Sequence, residues 1–389
     1  MINRSLASET LRLAKGFKVI AVMGPRQSGK TTLCKMVFPD YQYFNLENPT
    51  AVEEIRQNPR AFLEKYAPNG IIFDEAQKYP ELFSYIQVIA DENPDFRFVL
   101  TGSSNFMLLE KITQSLAGRI ALLTLLPLSF AELKDLAGGS DTNTLLFNGG
   151  FPAIWGNGLL PQDVIPNYYN TYIERDVRQI INVKDMSRFQ IFIRLCAGRA
   201  GKEFNASELA NEVGVSFHTI QEWLSVLEAS YIIFRLKPFY KNIGKRLIKT
   251  PKIYFYDTGI LCFLLGIENE KQLQTHPLRG EIFENFVLLE FIKGRFNQGK
   301  SNNLLFYKDQ SKNEVDIVQE FAHQYKAFEI KSATAYHSDF TGSLKYLKKI
   351  LGENLISTKV IYDGKQDLDI ADMGYVNFRN LKDISGDKQ

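Results

Sequence analysis

The segment Gly24–Thr31 restricts the fold of this chain more than any other, because it matches the pattern GxxxxGK[ST] at each fixed position. An apolar run, Lys18–Met23, precedes it, and a helical pattern over Lys30–Phe38 follows it. Glycines let successive backbone N–H groups curl around a phosphate, and the N-terminus of the following helix adds its dipole. The segment therefore predicts a phosphate-binding turn between a buried strand and a helix.

The side chains of this turn have separate expected roles. Lys30 is expected to reach the β- and γ-phosphate oxygens of a nucleoside triphosphate, and the Thr31 hydroxyl to ligate Mg²⁺. The residues expected to contact the nucleotide are Gly24, Pro25, Arg26, Gln27, Ser28, Gly29, Lys30, Thr31, Thr32 and, from a later strand, Ser103.

A pair of acids follows a second apolar run further along the chain, in the sequence Ile71-Ile72-Phe73-Asp74-Glu75. At the end of a strand, Asp74 can hold the Mg²⁺ shell, while Glu75 can orient or deprotonate an attacking water. Such acid pairs are common by themselves. Together with the phosphate-binding turn, they predict a site that binds and hydrolyses a nucleoside triphosphate.

The first third of the chain alternates short apolar runs with helical patterns, which is typical of a parallel sheet with crossover helices. The predicted strands are Lys18–Met23, Gln42–Asn45, Gly70–Asp74, Arg97–Thr101 and Ile120–Leu125. The predicted helices between them are Lys30–Phe38, Pro59–Tyr66 and Pro80–Asp91, and a loop is predicted at Ala137–Thr144.

Two further residues are candidates for contact with the γ-phosphate. Ser103 follows the fourth predicted strand, where it can sense the phosphate or position water; the alternative is an ordinary polar turn. Arg119 directly precedes the fifth strand and is the candidate cation for the transferring phosphate, in its own subunit or across an interface. The alternative for Arg119 is an ion pair with a surface acid.

The middle of the chain predicts a helical region at 138–203 and a winged helix at 204–266. One helix is expected at Ser207–Val213, a turn at Gly214, and a second helix at Ser216–Glu228 with an apolar face. The following run, Arg235–Lys252, holds seven basic residues and no acid. It is either an electrostatic surface for nucleic-acid phosphates or a solvated hairpin.

Several motifs resemble one family of proteins. The segments GPRQSGKTT, IIFDEAQ, LTGSSN and LAGRIALLTLLPLSFAEL, with GGFP, YIERDV and FYDTGIL, are similar to prokaryotic P-loop ATPases of the AAA+ superfamily that carry a C-terminal domain of unknown function. The resemblance implies an ATPase core, a winged helix and a C-terminal fold like that of restriction endonucleases. It also implies ATP as the nucleotide.

An acidic pattern in the last third predicts a second site. If a hairpin turns at Phe321–Gln324, Asp316 and Glu329 lie opposite each other, and Lys331 shares their face. Two carboxylates at this separation can hold Mg²⁺, and a lysine can position a hydroxide. Glu284, in the preceding helix, is a candidate for a further carboxylate.

This arrangement resembles the PD-(D/E)XK nuclease core, which implies catalytic roles for Asp316, Glu329 and Lys331 and metal binding by the two acids. The alternative is a structural copy of that fold with a solvated charged face. The expected fold class is α/β: a P-loop NTPase domain at 1–137, the helical and winged-helix regions, and a restriction-endonuclease-like domain at 270–385.

The composition of the chain bears on its compartment and on whether it carries disulfides, zinc or a membrane span. The net charge is +2, and the three cysteines are widely spaced without a CxxC pair, which argues against a disulfide framework or zinc site and for the cytoplasm. No apolar stretch is long enough to span a bilayer. Two hypotheses follow: an enzyme that uses ATP to act on DNA, or a nucleotide-controlled switch with ADP or ATP bound and a protein partner or second copy.

Overall fold

The computed structural model of the chain describes residues 2–103, 116–172, 185–239, 250–370 and 373–381. The first sheet consists of five strands: β1 (Val19–Met23), β2 (Gln42–Asn45), β3 (Ile71–Asp74), β4 (Phe98–Gly102) and β5 (Ile120–Thr124). Their order is β2-β3-β4-β1-β5, and all neighbours are parallel. The predicted parallel sheet is confirmed, and the carboxyl ends of its strands meet at one edge.

In the described part of this domain, six helices accompany the sheet: α1 (Leu6–Ala14), α2 (Lys30–Val37), α3 (Pro49–Gln57), α4 (Pro59–Tyr66), α5 (Leu82–Glu92) and α6 (Phe130–Ala137). The side chains of Asn48 and Asn58 accept backbone N–H groups at the starts of α3 and α4, and each helix continues with proline. Helices on both faces explain why every residue of β1 is buried.

The described middle of the chain is helical, as predicted: α7 (Thr142–Asn148), α8 (Pro152–Asn157), α9 (Pro161–Tyr168), α10 (Met186–Ala197), α11 (Ala206–Val213) and α12 (Phe217–Ala229). The predicted loop at Ala137–Thr144 is wrong at its end. The Asp141 side chain accepts a hydrogen bond from Asn143 N at 3.1 Å, and α7 begins at the intervening residue. This cap overrides the turn-like composition of the segment.

Helices α11 and α12 form the predicted helix pair. Gly214 between them has φ +73°, a left-handed conformation that favours glycine. The apolar face of α12 is buried, as its spacing predicts, through Ile220, Trp223, Leu224 and Leu227. The strands β6 (Ile233–Pro238) and β7 (Lys252–Phe255) follow as an antiparallel pair. The expected wing between them falls largely on residues 240–249, outside the described residues.

The last third adds three helices, α13 (Thr258–Leu264), α14 (Glu270–Thr275) and α15 (Arg279–Phe296), and then the strands β8 (Leu304–Lys308), β9 (Glu314–Phe321) and β10 (Gln324–Lys331). Helix α16 (Gly342–Leu351) and the strands β11 (Leu355–Tyr362), β12 (Leu368–Ile370) and β13 (Met373–Asn377) complete it. Phe321 pairs with Gln324, and Ile317 pairs with Phe328, so the predicted hairpin register is confirmed.

The second sheet crosses a predicted domain boundary. Its order is β12-β13-β11-β10-β9-β8-β6-β7, because β6 pairs with both β7 and β8. The strands predicted as part of a winged helix thus lie in one sheet with those of the C-terminal domain.

The cysteines and the middle tyrosines are core residues. Cys34, Cys196 and Cys262 are buried and free of disulfides. The side chains of Tyr168, Tyr169 and Tyr172 are buried in the largest apolar cluster. Across the described residues, none of the helices combines the length and apolarity that a bilayer crossing needs.

Candidate active site

The phosphate-binding turn joins the end of β1 to the start of α2. Gly24 has φ +149°, and a Cβ there would lie 2.1 Å from the Leu125 carbonyl oxygen, so only glycine fits. The Lys30 ammonium donates to the carbonyl oxygens of Gly24 at 3.1 Å and Pro25 at 2.8 Å. Burial lowers the pKa of Lys30 to about 8, because the charged form loses its hydration. An anionic phosphate beside Lys30 would stabilise its charged form.

The carboxylate of Asp74, at the end of β3, accepts hydrogen bonds from three hydroxyl groups. Thr31 Oγ1 donates to its carboxylate at 2.9 Å, Tyr43 OH donates at 2.8 Å, and Thr101 Oγ1 donates as well. Asp74 is buried, so these bonds compensate for its lost hydration. The structure therefore brings together Thr31 and Asp74, the two residues predicted to hold Mg²⁺. Their hydroxyl and carboxylate oxygens are of the donor type that Mg²⁺ prefers.

Glu75 is held in a strained backbone conformation, with φ +53° and ψ +47°. Its carboxylate accepts hydrogen bonds from Ser103 Oγ at 2.9 Å and from the side-chain amide of Gln77. The structure thus places Ser103, expected at the γ-phosphate, on the carboxylate of Glu75. Its hydroxyl is suited to orienting that carboxylate.

A cavity of about 680 Å³ lies beside the phosphate-binding turn. From the predicted set, its lining includes Arg26, Gln27, Gly29, Lys30, Thr31, Thr32 and Glu75. Ser28 is buried beneath the turn, and its carbonyl oxygen accepts a hydrogen bond from Arg4 Nη1 at 2.5 Å.

Another part of the lining of this cavity was not predicted. It is formed by Ile2, Arg4, Leu128, Pro152, Ala153, Gly156 and Asn157. The segment GGFP (Gly149–Pro152) was the available signal, since Pro152 within it lines the cavity and begins α8.

Arg119 lies at the other edge of the sheet. The Val19 N–H donates to its carbonyl oxygen at 3.3 Å, so Arg119 lies beside the beginning of β1, whereas the phosphate-binding turn follows the end. The five residues of β1 separate the two edges by about 16 Å. The guanidinium pairs with the Asp91 carboxylate through contacts of 2.6 and 2.8 Å. This is the alternative considered for Arg119, and the arginine does not reach the phosphate-binding turn of its own chain.

The structure brings together Asp316, Glu329 and Lys331. Lys331 Nζ lies 2.9 Å from Glu329 Oε2 and 3.9 Å from Asp316 Oδ2. Asp316 also accepts the Ile330 N–H at 2.7 Å. Both acids are buried, so the alternative of a solvated charged face is wrong. Burial and the neighbouring Asp316 raise the pKa of Glu329.

Glu284 and Lys252 extend this acidic cluster. Lys252 Nζ lies 2.5 Å from Glu314 Oε1 and 3.3 Å from Glu284 Oε1, and Tyr254 OH donates to Glu284. Burial and then Asp316 raise the pKa of Glu284. Within the ranges that the structure describes, no group of three or more His, Cys, Asp or Glu residues is arranged to hold a metal ion.

The buried position of Lys252 corrects its assignment to a solvent-facing basic run. All four residues of β7 are buried, including this lysine. Arg235, at the start of the run, pairs with Glu228 at 2.6 Å. Neither end of the run is therefore a free cation for nucleic-acid phosphates.

Replacing Lys252 with methionine is expected to lower the free energy of local opening of β7 by about 3 kcal/mol, because the partly buried carboxylates of Glu284 and Glu314 lose their counter-charge. Native-state hydrogen exchange of the β7 amides measures this quantity. The double variant K252M/E284Q removes one of these carboxylates and should recover part of the loss. Unchanged exchange in Lys252→Met would contradict the assigned role.

The parallel sheet, the phosphate-binding turn and the acids at a strand end define a P-loop nucleoside triphosphatase fold. Residues 16–134 match a family model described as "AAA domain". The N-terminal part of the chain is accordingly a P-loop AAA-like ATPase domain, which supports nucleotide binding and hydrolysis. Residues 139–271 and 279–381 match two further models, each described as a domain of unknown function (DUF8612 and DUF4143).

Relatives cover most of the chain. An uncharacterized protein of Mycobacterium tuberculosis is 29% identical over 387 residues, spanning 95% of this chain and 82% of the relative. An uncharacterized protein of Methanocaldococcus jannaschii is 24% identical over 333 residues, spanning 77% and 72%. Among solved structures, the Walker-type ATPase of Pyrococcus abyssi aligns with a TM-score of 0.49 and 15% identity over 68% of this chain and 96% of that one.

Proposed function

We propose that this chain binds ATP with Mg²⁺ and hydrolyses it in the cavity beside the phosphate-binding turn. The observation that carries the proposal is the direct contact between Thr31 and Asp74, with Lys30 buried in the turn beside them. Lys30 and Thr31 begin α2 and Asp74 ends β3, so two segments that are distant in the sequence supply these groups. The adenine base is inferred from the AAA domain match.

The residues of the site divide the reaction between them. Lys30 holds phosphate oxygens, and Thr31 and Asp74 hold Mg²⁺, which neutralises charge on the phosphates when bound. Glu75 orients a water and takes its proton, while Ser103 fixes the orientation of that carboxylate.

Arg119 could contact the transferring phosphate only from a neighbouring subunit, across an interface between two copies of the chain. It lies at the amino-terminal edge of β5, a strand that stands at the edge of the first sheet. A second copy of the chain would have to present Arg119 to the cavity, so this role requires a homo-oligomer.

The macromolecule on which ATP is spent is proposed to be DNA. The support is the helix pair α11–α12 and the acidic cluster around Asp316, which resembles a nuclease core. DNA should then stimulate ATP turnover, and the stimulation should fall steeply with salt because phosphate contacts release counterions. The three free, buried cysteines accord with a cytoplasmic protein.

The second candidate function is a nucleotide-controlled switch whose nuclease-like domain is inactive and binds a protein partner. Lys252 favours it, because its ammonium lies against Glu284 and Glu314 and supplies a positive charge within the acidic cluster. A divalent ion that used Glu284 as a ligand would compete with that ammonium for this carboxylate.

One experiment separates these functions. The protein is incubated with linear and supercoiled DNA, with Mg²⁺ or Mn²⁺, with and without ATP, beside an Asp316→Ala variant. Cleavage that the variant loses identifies an ATP-linked nuclease, and cleavage that it keeps identifies a contaminant. Intact ATP hydrolysis without cleavage or stimulation by DNA supports the switch. Absence of ATP hydrolysis under every condition would contradict the proposed function itself.

A further inference from the structure

Part of the lining of the nucleotide cavity comes from two loops outside the phosphate-binding turn, and we call this part the wall. One connects β5 to α6 and contains Leu128; the other is the turn before α8 and ends at Pro152. The loops are joined directly, because the Leu128 N–H donates to the Gly150 carbonyl oxygen at 2.7 Å. Gly150 has no room for a side chain, since a Cβ would lie 2.6 Å from the Leu128 oxygen. The wall is therefore a single bonded unit.

Helix α15, in the C-terminal third, hydrogen-bonds to the backbone of this wall through two side chains. Glu290 Oε2 accepts the Phe130 N–H at 2.7 Å, and Lys293 Nζ donates to the Leu128 carbonyl oxygen at 2.9 Å. The two side chains also pair with each other at 3.0 Å. Both are buried, with 9% and 5% of their surface exposed. A buried ion pair is costly unless its remaining bonds are made, and here they are made to the backbone of the wall.

Two other buried charged residues, Arg4 and Asp257, also hydrogen-bond to the loops around the cavity. Arg4 donates to the carbonyl oxygens of Ser28 at 2.5 Å and Leu126 at 2.6 Å, so it joins the phosphate-binding turn to the β5–α6 loop. Asp257 accepts the Gly150 N–H at 2.8 Å and caps α13 through the Ile260 N–H at 3.2 Å. Through Arg4, the turn that would hold phosphate is hydrogen-bonded to the same loop that supplies the wall.

The other end of α15 reaches the acidic cluster. Glu284 contacts Lys252 and Tyr254 of β7, and it precedes Glu290 by about 9 Å along the helix axis. One helix thus contacts the wall of the nucleotide cavity and the strand pair β6–β7.

We propose that Glu290 and Lys293 are positioning residues of the nucleotide cavity, through which nucleotide binding is transmitted to α15 and the C-terminal sheet. The proposal rests on ATP binding at the phosphate-binding turn. A nucleotide that contacts Leu128 and Pro152 restrains the wall. The two backbone hydrogen bonds pass this restraint to α15, because the wall cannot open without breaking them or moving the helix. If ATP binding changes the affinity of the C-terminal sheet for a ligand by some factor, thermodynamic linkage requires that ligand to change the affinity for ATP by the same factor.

Hydrogen exchange of the full chain, with and without ATP and Mg²⁺, tests the proposal. ATP at about 100 times its Kd should slow exchange by about 100-fold wherever opening expels the nucleotide. In the wild type we expect this slowing in α2 and in the second half of α15. The variant E290M/K293M removes both the acceptor for the Phe130 N–H and the donor to the Leu128 carbonyl oxygen. In this variant the slowing should persist in α2 and be lost in α15. The exposed pair Arg60 and Glu64 on α4 provides the control, R60M/E64M, which should behave like the wild type.

The readout is the difference made by ATP, so a destabilised variant does not imitate the result. Slowing in α2 without slowing in α15 of the wild type overturns the proposal, whether or not the double variant folds. Slowing in α15 that survives in E290M/K293M overturns it as well. No slowing in α2 of the wild type would instead contradict ATP binding at the phosphate-binding turn, and the proposal would fall with it.

Discussion

Replacing Lys30 with alanine is expected to weaken ATP binding by about 100-fold, which corresponds to about 3 kcal/mol for a lost charge-assisted contact. The ammonium is buried within the turn and bonded only to the carbonyl oxygens of Gly24 and Pro25 among the described contacts. Alanine leaves those oxygens without their donor and removes the cation that would contact the bound phosphates. Turnover should fall with binding, because the transferred phosphoryl group loses the same contact.

Titration with a fluorescent ATP analogue measures the affinity, and release of inorganic phosphate measures turnover. Lys65→Ala is the matched control, because this lysine is exposed on α4 and is not part of the cavity lining. Wild-type hydrolysis in Lys30→Ala would show that the turn is not the nucleotide site.

The N-terminal sheet could be predicted because its signals are local. Four of the five strands are short apolar runs bounded by turn residues, and the fixed spacing of Gly24, Gly29 and Lys30 specifies the turn between a strand and a helix. The same holds for the hairpin of β9 and β10, whose register follows from the position of its turn. Patterns within about ten residues of each other were sufficient for these features.

Contacts around Asp74 could not be predicted in the same way. Tyr43 and Thr101 reach this carboxylate from β2 and β4 because those strands flank β3 in the sheet. Strand order depends on how the whole chain folds, and the sequence of one strand does not indicate which strands pair with it. The cavity wall at Leu128 and Pro152 was missed for the same reason.

Arg119 and Lys252 illustrate two further limits. A residue that precedes a parallel strand lies at the edge away from the catalytic turn, so the distance of Arg119 from the phosphates was implicit in the predicted sheet. Lys252 was counted with its basic neighbours in the sequence, whereas its environment is set by Glu284 and Glu314 from other elements. A local charge count cannot reveal a buried ion pair.

Replacing Glu75 with glutamine separates hydrolysis from binding and gives the second large effect. The amide keeps the size and the acceptor oxygen that Ser103 contacts, but it cannot take a proton from water. A positioned general base contributes typically 10²–10⁴-fold, so kcat should fall by about 1,000-fold. ATP affinity should stay within about twofold of wild type, because the phosphate-binding turn and Asp74 are untouched.

The pair of measurements makes this prediction specific. Single-turnover hydrolysis gives the chemical step, and titration of the same variant gives the affinity for ATP. Glu53→Gln, an exposed carboxylate on α3, serves as the control and should retain wild-type values in both. A Glu75→Gln protein that hydrolyses ATP at the wild-type rate would remove Glu75 from the reaction. A variant that instead loses ATP binding would assign this residue to holding the nucleotide or its metal, because the isosteric amide alters charge and leaves shape unchanged.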